Sequence, residues 1–319
     1  MPRFSVIITV YNRPGLVRQA IDSACAQTFA DREIIVVDDS STDDTPAVLR
    51  SYGDRIRVVT LASNQGCEVA YREGAAAAQG SYLAFLDSDD LLFPWALETY
   101  DFVIAATSEP ALLVSRLAYF STTPPVLPAP QVGDTFEWVV FKDYLSRDRT
   151  MGSSLSMIVV RTDVYVRSGV FPRSTATTFN MSDHNFLLRV GCEGPAVLLE
   201  HPRTVAYRNH AENSVKKLPR VADGLMRLVR TERSGSFPGG QARRFDRRAS
   251  IGGPVAHFSR QALSQGLPGQ AGRLFFGAFD MILAKLLKKL GTTVRGQKPV
   301  VRVKWQPRHP SPPGRNRRQ

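Results

Sequence analysis

Four short runs dominated by β-branched and other apolar residues, each giving way to polar or acidic residues, constrain this chain more than any other feature. They are Phe4 to Val10, Glu33 to Val37, Arg55 to Thr60 and Ser81 to Leu86, and they read as strands. Between them lie helical patterns: Pro14 opens a segment carrying Val17, Ala20, Ile21 and Ala24 on one side, Thr45-Pro46 supplies a cap and first-turn proline, and Val69 to Ala78 runs to a stop at Gly80. Such βαβα alternation implies an α/β fold with a mostly parallel sheet, covered by helices on both faces and joined by right-handed crossovers. Ligands of such sheets bind at the carboxyl ends of the strands.

The fourth run ends in Phe85-Leu-Asp-Ser-Asp-Asp90. In an extended segment Asp87 and Asp89 point to one side, about 7 Å apart, and Asp90 points away. Two carboxylates so placed repel unless a cation or hydrogen-bond donors intervene. Mg²⁺ or Mn²⁺ suits them, because such ions take one or two carboxylates and fill the other positions with water and phosphate. The competing reading is a solvated helix start, with Asp89 or Asp90 capping a helix that begins near Pro94.

The second half is less regular. Pro94 to Ala106 reads as a helix and Ala111 to Tyr119 as a strand, with a Pro-rich connection over Thr122 to Pro130. Phe136 to Tyr144 and Thr162 to Ser168 read as helical, Ser154 to Arg161 as a strand, and Ser182-Asp183 opens a further helix ending at Gly191. Short strands follow at Ala196 to Leu199 and Thr204 to Tyr207. The expected division is an α/β domain over 1–218 (a first half over 1–120, a second over 131–218), a linker or loop over 219–253, a C-terminal helical segment over 254–291 and a basic, disordered tail over 292–319.

Charge separates these parts. The net +12 (41 basic against 29 acidic residues) is uneven, since no acidic residue occurs from Arg295 onward. Phe275, Phe279, Ile282, Leu286 and Leu290 form one helical stripe, flanked by Lys285, Lys288 and Lys289. A terminal helix packed on the body is one reading; peripheral contact with an anionic membrane is the other. The tail lacks a groove-reading module, so no specific nucleic-acid partner is expected. Cys25, Cys67 and Cys192 have no metal spacing, and no run reaches the roughly 18 apolar residues of a spanning helix. A cytoplasmic protein, at most attached to the inner face of the membrane, is expected.

Taken in order, Ser5-Val-Ile-Ile-Thr-Val-Tyr-Asn12, Gln27-Thr-Phe29, Glu33-Ile-Ile-Val-Val-Asp-Asp-Ser-Ser-Thr-Asp43, Asn64-Gln-Gly66 and Phe85-Leu-Asp-Ser-Asp-Asp90 resemble the family 2 glycosyltransferases over about Phe4 to His210. The resemblance implies a GT-A fold and inverting, metal-dependent transfer of a sugar from a nucleotide-sugar to a glycan, lipid-linked or surface polysaccharide acceptor. It assigns Asp39 to the nucleotide base, and a carboxylate there fits the imino N–H of uracil, so a UDP-sugar is the first expectation. Thr9, Tyr11, Arg72, Asp87 and Ser88 are the further donor contacts it implies. Asp89 and His210 are its metal ligands, for Mg²⁺ or Mn²⁺. Asp183 is its base, in Met181-Ser-Asp-His184, where relatives carry Glu-Asp and this chain has Ser182-Asp183. A second departure is Ala70-Tyr-Arg-Glu-Gly74, in which the family's arginine is displaced by one residue, about 100° around a helix. Two other readings stay open: a non-catalytic nucleotide-sugar-binding module, and a nucleotidyltransferase, although Tyr11-Asn-Arg-Pro14 lacks that class's Gly-rich phosphate loop.

Overall fold

A computed structural model describes residues 1–149, 154–171 and 181–306. The N-terminal half alternates as the sequence implies: β1 (Phe4–Val10), α1 (Pro14–Cys25), β2 (Arg32–Asp38), α2 (Thr45–Arg50), β3 (Arg57–Thr60), α3 (Cys67–Ala77) and β4 (Tyr82–Asp87). Then come β5 (Leu91–Leu92), α4 (Ala96–Ala106), β6 (Leu112–Val114), β7 (Leu117–Phe120), β8 (Thr135–Phe141), β9 (Ile158–Arg161), α5 (Thr162–Arg167), α6 (Ser182–Val190), β10 (Ala196–His201) and β11 (Val205–Arg208). The chain closes with α7 (Leu218–Arg233), α8 (Arg244–Ser264), α9 (Pro268–Gly277), α10 (Phe279–Arg295) and β12 (Val301–Lys304).

Among the described residues a nine-stranded sheet runs in the order β12-β8-β10-β6-β9-β4-β1-β2-β3, with a three-stranded sheet β5-β11-β7 beside it. The block β4-β1-β2-β3 is parallel throughout, and β10 is parallel to β6. Beyond β4 the sheet is mixed, because β9 enters antiparallel between β4 and β6, and β8 and β12 add antiparallel strands. Register explains the position of the site. Thr9 stands opposite Asp87 on β4, and Val10 stands opposite Asp38 on β2, so the residues leaving the core together are those following each apolar run.

Buried on both faces, these strands read as continuous apolar runs: Val6, Ile7, Ile8, Ile35, Val36, Val37, Leu83 and Leu86 are inaccessible to solvent. Helix α3 lies directly on them. A Cβ at Gly74 would stand 2.5 Å from Ile7 Cγ2 and 2.9 Å from Val37 Cγ2, so glycine is the residue that allows this close approach.

Three expectations for the second half are corrected. Phe136 to Tyr144 is not helical but chiefly strand β8, burying Phe136, Trp138 and Phe141 between β10 and β12. The stretch 219–253 is not a linker: α7 and the first part of α8 fill most of it, tied by an Arg247–Glu232 ion pair of 2.6 Å whose side chains are only 2% and 0% exposed. The tail is ordered over Val301–Lys304, which pairs with β8, and Trp305 stacks on Phe136 at 5.6 Å. Residues 150–153, 172–180 and, in that tail, 307–319 lie outside the described residues. The stripe from Phe275 to Leu290 is divided between α9 and α10 at Ala278. No helix among the described residues is long and apolar enough to cross a membrane.

Candidate active site

A cleft of about 300 Å³ opens at the carboxyl ends of β1, β2 and β4, lined by Thr9, Tyr11, Asp39, Asp87, Ser88 and Asp89 among others. Six of the sequence-predicted residues therefore meet in one place. Tyr11, just past β1, is 42% exposed, leaving its ring available to a ligand.

Asp39 is buried, and each of its oxygens accepts a backbone N–H at 2.7 Å, from Gln65 and Gly66. The turn preceding α3 is thereby pinned to the end of β2. Burial pushes the Asp39 carboxyl above its ordinary value, against the two amides that favour the charged form. Asp38 behaves as a turn residue, accepting from Ser41 N at 3.0 Å.

Asp87 sits among hydroxyls. Tyr71 donates to it at 2.6 Å, with Ser156 at 3.3 Å and Ser154 at 3.4 Å. Burial, followed by the charge of Asp89, raises Asp87 to about 6, and the charge of Asp183 adds to the effect. The segment after β4 is a turn rather than extended, with Asp90 N donating to the Asp87 carbonyl at 3.1 Å; Asp90 does not line the cleft, and it accepts from Ser156 Oγ at 2.7 Å and Arg208 N at 2.9 Å. It joins the end of β4 to β11. Arg208 is buried in this structural role, its guanidinium on the Asp89 carbonyl and 4.5 Å above the Phe120 ring.

Asp89 Oδ2 meets His210 Nε2 at 3.0 Å and Arg13 Nη1 at 2.8 Å. The two residues expected as metal ligands are thus adjacent, and Arg13 shares their oxygen. Among the described residues no three His, Cys, Asp or Glu side chains are grouped to hold a metal ion by themselves. A carboxylate and an imidazole would fit an ion that takes its remaining ligands from water and a diphosphate, and the Arg13 guanidinium at the same carboxylate oxygen would be a donor to such an anion.

Asp183 lies in the first turn of α6, after Met181 at φ 88°, a left-handed conformation costly for a non-glycine residue. It does not line the cleft itself. Its carboxylate accepts from His184 N at 2.8 Å, and its charge acts on both Asp87 and the cleft residue Tyr207. Arg72 is not brought to the cleft: its guanidinium pairs with Glu73 at 2.8 Å, and the residue before it, Tyr71, reaches the acidic cluster instead.

The sequence reading passed over several residues. Tyr71, Ser154 and Ser156 solvate Asp87, and Arg13 neutralises Asp89. Glu68 is buried on α3, and its Oε1 has no hydrogen-bond partner among the described residues; desolvation raises it to about 7, with Ser182, Arg227, Asn185 and Arg189 acting in the opposite direction. The departure at Ala70-Tyr71-Arg72 was the available signal for Tyr71. Glu68 carried none, because its relation to Ser182 is purely tertiary.

Residues 5–155 match the family model described as Glycosyl transferase family 2. They are a family 2 glycosyltransferase domain. Among curated relatives, an uncharacterised glycosyltransferase of Rickettsia typhi is 44% identical over 97 residues, 30% of this chain and 30% of that protein. The succinoglycan biosynthesis protein ExoO of Rhizobium meliloti is 39% identical over 95 residues (30% of this chain, 27% of ExoO), and the putative teichuronic acid biosynthesis glycosyltransferase TuaG of Bacillus subtilis is 42% identical over 92 (28% and 36%). The match spans about a third or less of the length of these relatives. Staphylococcus aureus TarS 1-349, solved with UDP-GlcNAc, aligns over 93% of both chains with a TM-score of 0.55 at 17% identity, which carries the GT-A fold through the helices of the second half.

Proposed function

We propose that this chain is an inverting glycosyltransferase that uses a nucleotide-sugar, with a UDP-sugar as the first candidate donor, to glycosylate a hydroxyl on a glycan, lipid-linked or surface polysaccharide acceptor. One observation carries the proposal: Asp39, Asp87 and Asp89 share a cleft at the carboxyl edge of a parallel sheet, with Asp183 near enough for its charge to act on Asp87. The similarity to a succinoglycan biosynthesis protein, ExoO, and to a putative teichuronic acid biosynthesis glycosyltransferase, TuaG, supports the acceptor class.

Asp39 has a lone pair on each oxygen beyond those used by the Gln65 and Gly66 amides, enough to accept the imino N–H of uracil. Tyr11 packs against the base, and Thr9, Asp87 and Ser88 face the ribose and phosphates. Asp89 and His210 would hold Mg²⁺ or Mn²⁺, whose chemistry is to neutralise charge on the departing diphosphate. Arg13 contributes a fixed positive charge at the same place.

Asp183 takes the proton of the acceptor hydroxyl as that oxygen bonds to the anomeric carbon. The anomeric carbon–oxygen bond to the diphosphate breaks on the opposite face, its electron pair leaves with the diphosphate, and configuration inverts. Arg72 has no place in this scheme.

The outer face of α10 supports peripheral contact with an anionic membrane. Phe279, Leu283, Leu287, Leu290 and Val294 are 45–87% exposed along it, beside Lys289. The experiment for the main reading is calorimetric titration of UDP with Mn²⁺, followed by NMR assignment of the product's anomer. A UDP site lost in Asp89→Ala and a product of inverted configuration agree with the proposal; absence of UDP binding contradicts the UDP-sugar donor, and binding without turnover across donors and acceptors returns the chain to the binding-module reading. Pyrophosphate release from a nucleoside triphosphate would favour the nucleotidyltransferase.

A further inference from the structure

Behind Asp183 lies a second, larger cavity. A groove of about 1070 Å³ runs between α8, α9 and α10, with Phe258, Leu263, Phe275, Phe276 and Leu286 among its lining residues. Its inner end reaches the candidate base in two ways. His184, which touches the Asp183 carboxylate, lines the groove, and so does Tyr144, on which the charge of Asp183 acts.

The same end is strongly cationic. Arg147, Lys285 and Lys289 line both the apolar groove and an adjoining recess of about 440 Å³, to which Arg149 and Lys288 also contribute. Lys288 is paired with Asp246 at 2.8 Å, and Arg149 with Asp148 at 2.9 Å. Among the described residues no carboxylate within ion-pair distance serves Arg147, Lys285 or Lys289. Arg147 is nevertheless fixed, stacked 4.0 Å above Tyr144 and donating to Ser250 Oγ at 2.9 Å. Lys285 is depressed first by burial and then by the charges of Arg147, Lys288 and Lys289. Positive groups held together against their own repulsion, at the mouth of an apolar groove, are complementary to an anion with a hydrocarbon chain.

Glycines on two walls keep the groove open. Gly252 is explained by packing, since a Cβ there would lie 2.0 Å from the Met281 carbonyl oxygen. Gly253 and Gly272 are not: a Cβ at Gly253 would meet only Lys285 Cε at 3.8 Å, and one at Gly272 only the Phe276 ring at 3.9 Å. Each is a glycine inside a helix, which weakens the helix relative to alanine. The space is retained where a ligand would lie.

We propose that this groove binds the hydrocarbon chain of a lipid phosphate or diphosphate acceptor, with its charged head on Arg147, Lys285 and Lys289 and its accepting hydroxyl directed toward Asp183. The proposal rests on the transferase reading and narrows its acceptor to the lipid-linked class. An anionic head beside the base fixes the distance from head to reacting hydroxyl, and the chain leaves along α9 and α10 toward their exposed apolar face.

The test uses the full chain with dodecyl phosphate as probe, and 1-dodecanol and inorganic phosphate as controls for chain and head. Dodecyl phosphate is expected to bind at least tenfold more tightly than either control, and to shift the imidazole resonances of His184 and His257, which line the groove, but not those of His201 or His210. Gly272→Trp, which fills the groove, and the Lys285→Gln/Lys289→Gln double variant each weaken that binding tenfold or more while leaving UDP affinity unchanged; Gly272→Leu serves where the tryptophan variant does not fold. In transfer assays with butanol-extracted membrane lipids, Gly272→Trp loses the lipid-extractable product and keeps donor hydrolysis. Equal binding of dodecanol and dodecyl phosphate, unmoved His184 resonances, or full binding by Gly272→Trp overturns the proposal, as does a groove filled by a second copy of the chain, seen as dimerisation that Gly272→Trp abolishes. Failure of UDP to bind the wild-type chain strikes the transferase reading instead.

Discussion

Glu68→Gln isolates the buried acid beneath the candidate base. Glu68 has an ordinary value of 4.5 and is raised to about 7 in the folded chain, chiefly by desolvation, while Ser182, Arg227, Asn185 and Arg189 pull the other way. A carboxyl raised on folding contributes most at low pH. Its contribution declines as pH rises from about 4.5, where the unfolded chain ionises, through about 7, where the folded chain does. A displacement of that size corresponds to about 3 kcal/mol between the two limits. Urea titrations at pH 5 and pH 8.5 read it directly: with a slope near 3 kcal/mol/M, the wild-type midpoint should drop by about 1 M more than that of Glu68→Gln. Asp87 and Asp90 move in the same direction, but they remain in both proteins and cancel in the comparison. Equal midpoint shifts in the two proteins would refute the claim that Glu68 sits desolvated against Ser182.

The other predictions concern packing and surfaces. Gly74→Val should destabilise the fold by more than about 2 kcal/mol in a denaturant titration, because the branched side chain overpacks Ile7 and Val37. Glu232→Ala should cost about 3–5 kcal/mol, since it leaves Arg247 charged and buried without its carboxylate, and an unchanged melting midpoint would contradict this. On vesicles containing phosphatidylglycerol, wild type should co-sediment, and a Leu287→Ser/Leu290→Ser variant should remain in the supernatant with its UDP affinity intact; equal sedimentation would remove α10 as the contact.

What the sequence revealed divides along the sheet. Strands β1, β2 and β4 were legible because a strand buried on both faces writes its burial into consecutive residues, and the acids that follow it share an edge by register alone. Asp39, Asp87 and Asp89 were placed for that reason. Strand β8 was not legible: its neighbours β10 and β12 come from distant parts of the chain, and the pairing that makes Thr135–Phe141 a strand is not local. Gly252 and Gly253 fell at the end of the stretch read as a linker or loop, yet they lie within α8, where Gly252 permits contact with α10. Charged residues misled similarly, since Glu232 and Arg247 look solvated in sequence and form a buried pair across α7 and α8. At the site, Arg72 was placed from family spacing, but the one-residue displacement puts Tyr71 on Asp87.

The division of labour between the cleft and Asp183 is the central claim, and donor binding measured beside single-turnover transfer tests it most directly. Asp183→Asn should bind UDP with Mn²⁺ within about twofold of wild type while transfer falls by 100-fold or more, the general range for loss of an acid–base group. Transfer by Asp183→Asn at the wild-type rate, or loss of UDP binding in the same variant, would contradict the account.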